Sequence, residues 1–169
     1  MNFLDLVRNR YSVRAYKPIE VEQEKIDQIL EVMSLAPTAA NQQPFRIILI
    51  HTAGKETELR RIYNNDWFVQ APIIICACGL DQESWFRDDG RPTTEIDVAI
   101  VMDHITLAAA SLGLGTCWIG AFNPAEARRI LRIPEFASPV LFTPLGYPAD
   151  QPKVKERKPI SDLVKYEHW

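Results

Sequence analysis

Glu95-Ile96-Asp97-Val98-Ala99-Ile100-Val101-Met102-Asp103-His104-Ile105-Thr106-Leu107-Ala108-Ala109-Ala110-Ser111-Leu112 is the stretch on which the fold turns. Wound as a helix, it is apolar on most of its circumference. A helix that is greasy all round must be buried. A chain of 169 residues has little protein with which to cover one helix on every side. The stretch therefore predicts a long helix that lies partly in the core and partly in a subunit interface. Gly113-Leu114-Gly115 ends it. Asp97 and Asp103 are unusual in so apolar a context. Exposure to water or pairing with a basic residue across the interface would each accommodate them. His104 is expected to be a satisfied interior group.

Outward from this helix, helical and extended patterns alternate. Asn2 to Asn9 predicts a short first helix, and residues 22–36 a stronger one. There Ile26, Ile29, Leu30 and Met33 share a face, and Pro37 stops the helix. Arg46 to Ile50 reads as a strand and Lys55 to Tyr63 as a charged amphipathic helix. Pro72-Ile73-Ile74-Ile75-Cys76-Ala77-Cys78 is short, β-branched and apolar on both faces, as a buried central strand must be. Residues 81–95 are a polar loop or lid in which Trp85 and Phe86 stand out. Thr116 to Ile119 and Val140 to Leu145 read as strands. Between them, Asn123-Pro124-Ala125-Glu126 carries the cap, the first-turn proline and the acidic third residue of a helix start. That helix runs to about Leu131, and the tail from Ala149 is polar and basic. With no repeat and no linker, residues 1–169 read as one domain. Strands separated by helices imply an α/β or α+β sandwich.

Composition removes several function classes. A net charge of -3 offers no basic field for nucleic acid, and apolar runs stop short of the ~20 residues of a membrane span. Met1 to Asp5 lacks the basic start and apolar stretch of a signal peptide, so a cytoplasmic location is expected. Cys76, Cys78 and Cys117 agree with a reducing compartment. Cys76 and Cys78 would share one strand face as plain core, and Cys117 also reads as core. His51, His104 and His168 show no metal-ligand spacing.

Three segments could carry chemistry. In Arg10-Tyr11-Ser12-Val13-Arg14, two guanidiniums flank a serine at i, i+2, i+4. If extended, all three share a face and can converge on one anion such as a phosphate. Surface arginines in salt bridges fit the same spacing. The loop from Ala36 to Phe45 presents Asn41-Gln42-Gln43, three carboxamides able to donate and accept at the edge of a planar heterocycle. A plain polar turn fits it too. In Gly113 to Phe122, the small residues Gly120 and Ala121 allow close backbone approach to a flat ligand, and a helix end followed by a buried strand is the alternative. The Gly-x-Gly there lacks the dinucleotide fingerprint.

Taken in order and spacing, these segments resemble the nitroreductase family of flavoproteins. The resemblance extends over nearly the whole chain and includes Pro144-Leu145-Gly146-Tyr147-Pro148 and Lys155-Glu156-Arg157-Lys158-Pro159. It implies an α+β sandwich, with a central, mostly antiparallel sheet flanked by helices, forming an intimate homodimer with two FMN sites at the interface. Arg10, Ser12 and Arg14 match the family's phosphate and ribityl contacts, and Arg157 its C-terminal basic residue. Asn41 and Gln43 match an Asn-x-Gln-Pro loop, with Thr38 to Asn41 expected from the partner subunit. Trp118, Ile119 and Gly120 match the backbone beside the isoalloxazine, and Asn64 an asparagine at its pyrimidine edge. Several members carry an acidic residue where this chain has Gly120, so backbone alone is expected to serve there. The implied activity is hydride transfer from NADH or NADPH through flavin N5 to a nitroaromatic or quinone, by a ping-pong cycle without a catalytic side chain. Trp85, Phe86 and Arg87 could cover the open face. Reductive dehalogenation or other specialised flavin chemistry, or flavin binding without catalysis, are the rival readings.

Overall fold

The computed structural model describes residues 2–169, and the elements follow local chemistry closely. Helix α1 spans Phe3–Asn9, with the Asn2 side chain accepting the Asp5 N–H at its start. Helix α2, Gln23–Ser34, buries Ile26 and Ile29. Strand β1 (Phe45–His51) is followed by α3 (Glu56–Ile62), a short α4 (Asp66–Gln70) and strand β2 (Ile73–Gly79). Helix α5 is the 18-residue Thr94–Ser111. Strand β3 is only Gly115–Thr116, and α6 (Pro124–Leu131), β4 (Ser138–Gly146) and α7 (Ile160–Leu163) complete the chain.

Antiparallel pairing joins the four strands in the order β1-β2-β4-β3. Every residue of β2 is buried, as its two-faced apolar sequence requires. Its odd residues, Ile73, Ile75 and Ala77, join a core with Ile26 and Ile29 of α2 and Val98, Val101, Met102 and Ile105 of α5. Its even residues, Ile74, Cys76 and Cys78, join Leu59, Ile62, Phe68, Ala127 and Phe142 on the opposite side. The molecule is thus three layers, with α2 and α5 on one face and α3, α4 and α6 on the other. Alternation along one strand specifies both cores at once. The expected α+β sandwich is what forms.

Helix α5 is buried on one side only. Val98, Val101, Met102, Ile105 and Ala109 are sealed, while Ile96 is 54% exposed and Ile100, His104 and Leu107 are half-buried. His104 is satisfied within its own helix, through Nδ1 and the Ile100 carbonyl at 2.9 Å. The two aspartates part company, with Asp103 exposed and Asp97 buried.

Three local expectations change. The Thr116–Ile119 strand stops after Thr116, because the Cys117 N–H donates to the Thr143 side-chain oxygen and pairing resumes only at an Ile119–Phe142 bridge. At α6, the Asn123 side chain caps the N–H groups of Ala125 and Glu126, but Glu126 does not reach back to complete a box. It pairs instead with Arg61 at 2.9 Å and Arg129 at 2.8 Å, while the Asn123 N–H donates to the Ile62 carbonyl. The tail carries exposed apolar groups among its charges, Val154, Ile160, Leu163 and Trp169. Cys76 and Cys78 lie in the core with their sulfurs 3.7 Å apart. The contact with Cys78 and burial push the Cys76 thiol up, keeping it protonated.

Candidate functional site

The Arg10–Arg14 segment is laid along the end of the sheet. The Val13 N–H donates to the Thr116 carbonyl at 2.9 Å, and Ser12 bridges Thr116 in parallel. Gly115 makes this approach possible, since a Cβ there would stand 2.5 Å from Val13 Cγ2. Val13 is buried, and its neighbours at 12 and 14 turn outward. The chain returns to the same place at its end. The Ala149 N–H donates to the Ala15 carbonyl, and the Asp150 carboxylate accepts from both the Arg14 N–H at 2.8 Å and the Tyr11 hydroxyl at 3.1 Å. Burial, and then Asp150, push the Tyr11 phenol up to about 12, so it stays a donor at neutral pH.

This stitching encloses a cavity of 480 Å³ lined by Arg10, Ser12, Arg14, Lys153, Lys155 and Arg157, with the two acids Asp150 and Glu156 also on its wall. It draws together four of the residues singled out from sequence. The surface salt bridges that could have explained the arginines do not form. Among the described residues, Arg10, Arg14, Lys153, Lys155 and Arg157 pair with no carboxylate. Arg14 instead lies over the Trp67 ring, 5.9 Å from its centre. Burial, then Arg10 and Arg157, push the Lys155 ammonium down. Unpaired positive charges crowded into one cavity favour an anion.

Trp118, Ile119 and Gly120 continue from the same edge. Ile119 is locked to Phe142 by two backbone bonds of 2.8 and 3.0 Å, which hold Trp118 and Gly120 outward. The Trp118 indole donates to Thr106 Oγ1 of α5 at 3.4 Å. A Cβ at Gly120 would meet only Leu141 Cδ2, at 3.8 Å, so the fold itself does not require the glycine. The missing side chain leaves room for a flat group against the backbone. Asn64 is exposed in the loop between α3 and α4. The Asn123–Ile62 bond draws that loop beside the segment leaving Gly120, and Trp67 ties it to Arg14.

Thr38, Asn41 and Gln43 are elsewhere. Their loop runs into β1 at Phe45, opposite Gly79 of β2, whereas the arginine cavity adjoins the Leu145–Thr116 end, opposite Ile73. The seven residues of β2 separate these ends by roughly 20 Å. The loop is strained: Ala40, Asn41 and Gln43 all have positive φ, at 48°, 56° and 52°. Such residues cost about 1–3 kcal/mol each and persist where the surroundings enforce them. Thr38 Oγ1 accepts the Gln43 N–H at 3.0 Å, and the Gln43 amide donates to Asn41, so both carboxamides stand exposed.

Two residues organise these regions: Asp150, which had no signal in the sequence, and Asp97, which stood out as an acid in an apolar helix but is neither exposed nor paired with a base, its carboxylate being buried on hydrogen-bond donors instead. Each acts on a segment far away along the chain. The Asp97 carboxylate accepts the Ala39 N–H, 58 positions earlier, at 2.9 Å.

Comparison with known proteins gives a consistent family. A model described as the nitroreductase family matches residues 7–147. Over its whole length the chain is 31% identical to a protein of Methanothermobacter thermautotrophicus provisionally named an NADH dehydrogenase/NAD(P)H nitroreductase, covering 88% of it. It is 30% identical over 88% of its length to an FMN reductase [NAD(P)H] of Bacillus subtilis, spanning 66% of that longer protein. A crystal structure of a nitroreductase family protein from Clostridium difficile superposes with a TM-score of 0.93, at 36% identity and full coverage of both chains.

Proposed function

Because this chain belongs to the nitroreductase family, we propose that it is an FMN-dependent NAD(P)H oxidoreductase that works as a homodimer. The observation that carries the reading is the cluster Arg10, Arg14, Lys155 and Arg157 around one cavity, none of them paired with a carboxylate. The donor set fits the cofactor. Arg10, Arg14 and Arg157 would hold the phosphate dianion, and Ser12 would add a hydroxyl. Trp118, Ile119 and Gly120 would present a rigid backbone edge to the ring, with Asn64 as a candidate contact at its edge. Bound FMN supplies two-electron chemistry between a nicotinamide donor and an acceptor.

The open face of α5 supports the dimer. Ile96, Ala99, Ile100, Asp103 and His104 line a shallow groove there, next to one formed by Phe3, Leu6, Val32 and Leu107. Helix α5 is roughly 27 Å long. Its start touches the Thr38–Gln43 loop and its end leads through Leu114 into β3, beside Ser12. A two-fold pairing of open faces, with the helices antiparallel, sets the loop of one protomer beside the arginine cavity of the other. Thr38, Asn41 and Gln43 then complete the partner's site, which accounts for motifs of one ligand lying at opposite ends of one sheet. In this reading the chain's own groups bind and orient, and the flavin carries the redox chemistry. Donor and acceptor use the same open face in turn, a ping-pong cycle, with nitroaromatics and quinones as acceptors and Trp85 and Phe86 at the edge of the lid.

The test is the visible spectrum of the purified protein. Flavin absorbance that bleaches with NADPH or NADH without oxygen and returns with a quinone is the expected result. A colourless protein that takes up no added FMN overturns the assignment.

A further inference from the structure

Asp97 is an acid with no role so far, 1% exposed within the first turns of α5. Burying a carboxylate is costly unless its oxygens are hydrogen-bonded. Here both are. One accepts the Ala39 N–H at 2.9 Å, and the other accepts the Thr93 hydroxyl at 3.1 Å. Each partner belongs to a different loop. Ala39 directly precedes the positive-φ run and sits inside the Thr38–Gln43 loop. Thr93 closes the lid: its N–H donates to the Trp85 carbonyl at 3.0 Å, and its hydroxyl lies 3.2 Å from that same oxygen. The N-terminal end of α5, positive by its peptide dipoles, favours an anion at this position.

We propose that Asp97 is a positioning residue. It clamps the strained Thr38–Gln43 loop to the Trp85–Thr93 lid, so that Asn41 and Gln43 are presented in one fixed shape to the flavin bound mainly by the partner. The proposal rests on the flavin reading of this loop given above. A short lever connects the two: Ala39 is held, Ala40 and Asn41 are thereby kept left-handed, and the Gln43 N–H meets Thr38 Oγ1. An asparagine at 97 can keep the clamp, because its oxygen accepts from Ala39 while its amide donates to Thr93, whose proton turns to Trp85. An alanine cannot.

The test compares Asp97→Ala, Asp97→Asn, Thr93→Val and Gln43→Ala in the full-length protein. Amide hydrogen exchange is followed without flavin, and FMN affinity by fluorescence quenching. For Asp97→Ala, exchange at Ala39 and through 85–93 should quicken about tenfold or more, and FMN should bind about tenfold more weakly. Asp97→Asn should restore most of both. Thr93→Val should loosen the lid while Ala39 stays protected, which tests the clamp even if Asp97→Ala does not fold. Unchanged exchange at Ala39 in Asp97→Ala, or a freed Ala39 with unchanged FMN affinity while Gln43→Ala weakens binding, overturns the role of Asp97. If Gln43→Ala leaves affinity untouched, the flavin reading of the loop is what fails, and the positioning role falls with it.

Discussion

The arginine cavity and the carboxamide loop resemble each other in sequence, each a short polar run beside a strand, yet the fold builds them in opposite ways. Around Arg10 and Arg14 the backbone is extended and tied down by the sheet and by Asp150, and the charges are left unpaired. Around Asn41 the side chains are neutral and the backbone carries three left-handed residues held by one buried acid. One region stores unsatisfied charge and the other stores strain. Charge attracts a ligand from a distance and supplies affinity; a strained, neutral loop adds little pull but fixes shape. The lesson is a division of labour between affinity and orientation.

The contrast can be broken most forcefully by the change Arg10→Ala with Arg14→Ala. Removing two charge-assisted contacts to one phosphate should weaken FMN about a hundredfold or more, with the far-ultraviolet spectrum unchanged. Retained affinity, measured by equilibrium dialysis, would mean the cavity is not the phosphate end. Next comes the interface. Ile100→Asp sets a carboxylate on the open face of α5 and should give monomers by light scattering. If the loop serves the partner's cavity, those monomers should also lose about tenfold in FMN affinity, the share of the missing loop. A monomer that binds FMN as well as the parent would place the whole site in one protomer. The smallest effect is expected for Asp150→Ala. It frees the Arg14 N–H and the Tyr11 hydroxyl on a half-exposed edge and also removes a negative charge from a cationic cavity. Lost order and gained charge oppose one another, so FMN affinity should shift by only about threefold while melting drops a few degrees. A large loss of binding would mean that order, not charge, limits affinity at this end too.

Much of the fold was legible residue by residue. The β2 run could be nothing but a buried strand, and Asn123-Pro124 marked the start of α6 to the residue. Helix α4 was not legible, since five residues are too few to show a period. Strand β3 was overread, because a threonine side chain on β4 captured a donor that the pattern assigned to the ladder. In the site, residue types were readable but partners were not. Gly115 shows why: its need for a bare backbone arises from Val13, 102 positions away, pressing on it in space.

The sequence by itself determined the central strand, the helix apolar nearly all round, and the Arg10–Arg14 and Asn41–Gln43 runs able to meet a phosphate and a flat ring. Those are local properties, set by periodicity, propensity and side-chain chemistry. Only the tertiary structure decided which groups meet. It set Arg157 beside Arg10 and Arg14, moved Thr38, Asn41 and Gln43 to the far end of the sheet, and turned Asp97 inward while leaving Asp103 in water. Helix Glu95–Leu112 shows the division most clearly. Its composition required burial, but which side faces this chain's core and which is left for a second copy depends on what α2 and the sheet can cover, and that is known only once they are packed.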